Sequence, residues 1–148
     1  MGEKTRIALG VVAAAAVVIQ FFPPERTNPP SDPAASFEAV VKPPPRVAAI
    51  IARSCQDCHS NRTVWPWYSR VAPASWLVAD DVIEARRKFN FSAWSRLSPE
   101  RAQEVLGNMC DEVKAGDMPL WQYRLMHWSA RLSADDVKAV CTLSPRVQ

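Results

Sequence analysis

Apolar residues follow three different rhythms along this chain. Residues 7–22, IALGVVAAAAVVIQFF, run apolar without interruption except at Gln20, and carry no charge. At ~1.5 Å per residue the run spans about 24 Å as a helix, a little short of a ~30 Å hydrocarbon core, a gap that flanking residues and local thinning close. Residues 23–44 have no periodicity. Most of the 13 prolines fall between Pro23 and Pro45, so this stretch is expected to be an extended, semi-rigid tether, with a turn or two of helix at 34–41 as its one regular piece.

From Pro45 onward the rhythm is helical. Val47, Ile51, Cys55 and Cys58 fall at offsets of 0, 4, 8 and 11, with Ile50 widening the stripe, so the two cysteines complete the buried face of one helix. A second helix is expected to start near Ser75 and to carry Val78, Val82, Ala85 and Phe89 inward. Ser98 and Pro99 are an N-cap and a first helical residue, Ala102, Val105, Leu106, Met109 and Val113 form the stripe behind them, and Gly116 supplies the stop. Ser133 and Asp136 have capping-box spacing, with Leu132 placed to staple onto Val137. No stretch alternates with period two. The fold expected is all-α, a helical domain over 45–148 behind the 23–44 linker and a transmembrane segment over 1–22, with long loops at 60–74 and 116–132.

Charge gives the apolar run a direction. Lys4 and Arg6 precede it and stay in the cytoplasm, so everything after residue 22 is delivered to the far side, which in a bacterium is the periplasm. The small residues Ala13 to Ala16 lie inside the run, and the run ends in Phe21 and Phe22, which favours an uncleaved inner-membrane anchor over a signal peptide. The net charge of +3 is small and scattered, which argues against a nucleic-acid partner.

The chemistry concentrates at Cys55, Cys58 and His59, in SCQDCHSNRTVWPWYSRVAPASW, residues 54–76. A structural zinc site needs four ligands, and Cys110, Cys141 and His127 are isolated in sequence. A redox dithiol belongs in a βαβ unit and leaves His59 without a role. Cys-x-x-Cys-His explains all three residues together, since the thiols can add to the two vinyl groups of one haem and the imidazole then falls beneath the iron. Cys110 and Cys141 lie on or beside apolar helical faces and are expected to form a disulfide in an oxidising compartment.

The stretch CHSNRTVWPWYSRVAPASWLVADDV, followed by RRKFNFSAW, resembles the bacterial haem-binding domain family related to cytochrome c, whose members often carry a short N-terminal anchor. The likeness covers residues 44 to about 140 and is tightest through residue 94. It implies a cytochrome c-like helical fold with one haem c, held by Cys55 and Cys58 with His59 as proximal ligand. GDMPLWQYRLMHWSARLS fits the family's pattern of Met-Pro followed by a histidine.

The sixth iron ligand is expected to be Met118, held in a loop between the Gly116 stop and Pro119, with His127 the alternative. Trp65, Trp67, Tyr68 and Trp76 suit the walls of a haem pocket, and Arg62 or Arg70 the propionates. A carbonyl near Pro73 is placed to orient His59. A histidine–methionine pair saturates iron and favours single-electron transfer over catalysis. The function expected is an electron carrier reaching a redox partner protein or a larger membrane complex. A haem-bearing accessory subunit, or a sensor or peroxidase-like protein with a displaceable sixth ligand, remains the alternative.

Overall fold

The computed structural model describes residues 2–144, and among them there is no strand. Helix α1 runs Glu3–Val18 and continues through a 3-10 turn at Ile19–Phe21. No residue of α1 is buried, and it is the one helix among the described residues long and apolar enough to cross a membrane.

The proline-rich segment does more than set reach. A 3-10 turn at Pro33–Ala35, capped by the Asp32 carboxylate, leads into α2, Phe37–Val41, whose Ser36 hydroxyl accepts from the Ala39 N–H. Phe37 is 0% exposed. Its ring meets Phe91 and Trp94 edge to face at 5.1 and 4.8 Å between centroids. The regular piece foreseen at 34–41 is therefore present, but as part of the core. Upstream, Arg26 donates to Ser69 O and Asn28 to Thr63 O.

Lys42, in the left-handed region at φ 51°, ends α2, and three prolines carry the chain to α3, Pro45–Ser54. Then follow α4, Gln56–His59; α5, Ala74–Lys88; a 3-10 stretch at Phe91–Arg96; α6, Pro99–Ala115; α7, Trp121–Met126; a 3-10 turn at Trp128–Ala130; and α8, Ala134–Cys141. Ser98 caps α6 through the Arg101 N–H, and Gly116 ends it at φ 80°, where a side chain would be strained. Ser133 and Asp136 make the full capping box of α8. The expected cap at Ser75 is displaced: α5 begins at Ala74, and Ser75 is buried inside its first turn. Within the loop expected at 116–132, the structure places α7.

Val47, Ile50 and Ile51 of α3, Val105, Met109 and Val113 of α6, and Val140 of α8 enclose one core with Phe37, Phe91 and Trp94. Cys110 and Cys141 are bonded to each other inside it, with Cα atoms 4.7 Å apart. Leu132 and Val137, the expected staple, pack against its edge.

Candidate functional site

A kink between two helices sets out the Cys-x-x-Cys-His motif. α3 stops because Cys55 turns to φ −127°, ψ −36°. Its N–H still donates to Ile51 O at 2.9 Å, and its carbonyl accepts from the His59 N–H at 3.0 Å, so α4 restarts one residue later. Asp57, between the cysteines, then folds the following loop back. Its carbonyl accepts from the Thr63 hydroxyl at 2.6 Å, and its carboxylate accepts from the Val64 N–H at 3.0 Å and the Tyr123 hydroxyl at 2.7 Å. Arg86 of α5 closes the loop by donating to Ser60 O, Thr63 Oγ1, Thr27 O and the Asn28 side chain.

Cys55, Cys58 and His59 line a cavity of about 460 Å³, with Met118, Tyr68 and Leu77 among its other walls. A second cavity of about 310 Å³ shares Cys55, His59, Lys88, Met118 and Pro119 with it. The sharing makes the two cavities neighbours around one histidine and one methionine.

The electrostatics suit a neutral ligand. Burial drives the His59 pKa down to about 4; the carbonyls of Phe89 and then Ala85 oppose this and Lys88 adds to it. The imidazole is therefore uncharged at neutral pH, stacked on the Phe89 ring at 4.1 Å. Its Nδ1 is buried and completes no hydrogen bond. Those carbonyls are the groups nearby that can accept from one ring nitrogen while the other binds a metal. Near Pro73, the stretch expected to supply a carbonyl in that role, the Pro73 carbonyl itself accepts from the Trp76 and Leu77 N–H groups at the start of α5.

Burial raises both thiols to about 12, reinforced for Cys55 by Cys58 and opposed by Arg53, and reinforced for Cys58 by Asp81 and Asp57 and opposed by Arg86. A reactive dithiol requires the opposite shift. Cys110 and Cys141 are used up by each other. Among the described residues no three His, Cys, Asp or Glu side chains are grouped to hold a metal ion. Two protonated thiols, a neutral imidazole and a thioether around a mostly apolar space instead fit a large flat cofactor that brings its own metal.

A family profile described as a haem-binding domain matches residues 14–144. The chain belongs to the haem-binding domain family. No curated protein and no solved structure matches it. The haem-binding domain match takes in the end of α1 and the whole proline-rich segment, consistent with Phe37 standing in the core.

Within this haem-binding domain, Trp67, Tyr68, Met118 and His127 join the motif on the larger cavity. Four other expected residues do not. Trp65 is half-buried with its Nε1 unpartnered, and lines neither cavity. The 3-10 turn at Trp67–Arg70 gives the cavity its first two side chains and leaves Arg70, at its far end, in solvent. Arg62 is paired with Glu38 at 2.6 Å, and Trp76 donates to Phe22 O. The cationic side chains on the walls are instead Lys88, in both cavities, and Arg101, in the smaller. Sequence reasoning passed over these two, along with Tyr123 and Asp57. It placed Phe89 on the stripe of α5, but the helix ends at Lys88 and frees that ring to stack on His59.

Proposed function

We propose that this haem-binding protein is a membrane-anchored c-type cytochrome of the inner membrane, with one haem per chain on the periplasmic side, that passes single electrons and is not an enzyme. The observation that carries the reading is the meeting of Cys55, Cys58, His59 and Met118 on one cavity. Cys55 and Cys58 hold the haem through thioethers, and His59 gives the iron its proximal nitrogen. When bound, the haem iron supplies the one-electron chemistry.

Met118 is the sixth ligand in this reading, because its position is pinned from both sides. The Asp117 and Met118 N–H groups both donate to Glu112 O, at 3.1 and 3.3 Å, as the chain leaves α6. Pro119 is buried behind it. His127 is the competing ligand and already has partners: its Nε2 shares a 2.8 Å hydrogen bond with the Tyr68 hydroxyl, and its ring stacks on Tyr123 at 4.2 Å. Ligation through that nitrogen breaks the bond to Tyr68. Lys88 and Arg101 are the cations available for the propionates. The disulfide suits an oxidising compartment, and the long apolar helix α1 suits an anchor. The partner is a redox protein or a larger membrane complex.

The test is Met118→Ala in the haem-loaded protein. The weak ferric band at the red edge of the visible spectrum, the mark of sulfur ligation, is expected to vanish, the potential to fall and carbon monoxide to bind. If Met118→Ala leaves the spectrum unchanged while His127→Ala alters it, the ligation is bis-histidine and the reading of a high-potential carrier fails.

A further inference from the structure

Helix α7 and the turn after it carry large side chains on two sides, and the haem cavity accounts for only one of them. Leu120, Gln122, Tyr123, Met126 and His127 line that cavity. The exposed side chains are Trp121 and Leu125, one turn apart on α7, and Trp128 on the 3-10 turn that follows, with 66%, 55% and 69% of their surface exposed. None of the three lines either cavity, so a bound haem leaves them bare. Arg124 lies on the same segment, and the Arg131 guanidinium sits 3.8 Å over the Trp128 ring. Neither arginine is ion-paired among the described residues. Indole rings beside unpaired arginines on a short amphipathic segment suit a lipid headgroup layer, where the ring is half dry and the cation meets phosphate.

The end of the apolar N-terminal helix says which surface is near. Gln20 is bonded to Ala72 in both directions, its Oε1 accepting from the Ala72 N–H at 2.9 Å and its Nε2 donating to Ala72 O at 3.2 Å. The Trp76 indole donates to Phe22 O at 2.8 Å. Phe21, Phe22, Val71 and Trp76 are all exposed at this junction. Ala72 is only four residues from Tyr68, whose hydroxyl bonds His127, the residue before Trp128. Short stretches of chain and the Tyr68–His127 hydrogen bond thus link the anchor's exit to the end of α7.

We infer that the outer face of α7, together with the start of α5, rests on the anionic bilayer surface from which the anchor emerges. The inference depends on the anchor reading above, and the experiment separates the two. Full-length, haem-loaded protein is placed in nanodiscs of mixed neutral and anionic phospholipid. A nitroxide is attached at one of Val12→Cys, Leu125→Cys, Trp128→Cys or Lys138→Cys, each variant first checked for an unaltered haem spectrum. Collisional relaxation by oxygen, which concentrates in lipid, is compared with that by a polar nickel chelate, which does not enter it.

Labels at positions 12, 125 and 128 are expected to favour oxygen severalfold over nickel, and the label at 138, on α8, to show the reverse. Using one position on α7 and one on the turn after it guards against a single label disturbing its own element. If 125 and 128 behave like 138 while 12 remains oxygen-rich, the anchor stands and the docking is overturned. If 12 is itself nickel-rich, the anchor reading falls and the docking with it. If 125 and 128 are shielded from both reagents while 12 is oxygen-rich, a protein surface covers the face, and the proposal fails in favour of a second copy or a partner.

Discussion

In one region of the domain Phe37 meets Phe91 and Trp94 edge to face, and a disulfide joins α6 to α8. In the region beside it, Cys55, Cys58, His59 and Met118 face open space. The first region is complete by itself: its helices have side-chain caps at Ser36, Ser98 and Ser133, and its cysteines are joined. The second is walled by α5 together with α4 and α7, the last two of only four and six residues with no side-chain cap, and holds a buried imidazole nitrogen with no partner. Short helices are marginal unless something packs against them. The difference teaches that the fold is carried by the closed region, while the open one is shaped for a guest that completes it.

The strongest way to break that contrast is to remove the guest. Cys55→Ala with Cys58→Ala is expected to abolish covalent haem altogether, read as loss of haem stain on a denaturing gel, while most of the far-ultraviolet helix signal survives. A wholly unfolded double variant means that the two regions are one cooperative unit. Phe37→Ala attacks the other side. Emptying a fully buried aromatic site costs about 3–5 kcal/mol in denaturant unfolding, and a change near zero means that the proline-rich segment is a tether only.

Next in size, Cys110→Ala with Cys141→Ala reopens a crosslink between positions separated by 31 residues. Chain entropy puts the loss at roughly 3–4 kcal/mol, with the visible haem spectrum expected to be unchanged; a shifted spectrum means that the bridge shapes the site as well. The smallest effect is one of pH. In the haem-free double variant, His59 binds its proton in the unfolded chain near 6.5 but in the folded chain only near 4. Its contribution to stability is therefore whole above pH 6.5 and is lost as the pH falls toward 4, about 3 kcal/mol in all. Urea midpoints that stay flat across this window show that the imidazole is not held dry.

What the sequence disclosed follows the same division. Ser98, Pro99 and Gly116, and Ser133 with Asp136, act on backbone groups within a turn of themselves, so their effect is local and readable. Phe37 sits among prolines, and only contacts with residues 91 and 94, far along the chain, bury it. α7 stayed hidden because it is only six residues long, under two turns, too short to display a helical period. Cys55, Cys58 and His59 were legible through their spacing. Lys88 and Arg101 were not, because their approach to the cavity depends on where α5 ends and how α6 packs, and no local pattern marks the turn at Trp67–Arg70 that leaves Arg70 in solvent.

The bonds between Gln20 and Ala72 change the arithmetic of encounter. A domain on a loose proline-rich leash would sweep a hemisphere and could meet partners well away from its point of attachment. Here the leash is folded down, by Arg26 onto Ser69 and by Arg86 onto Thr27 and Asn28, and the domain is clasped at the exit of its own helix. For an anchored chain this turns a search through volume into a search over an area: the haem site travels with the lipid, at one height, and anything that meets it must come to that height.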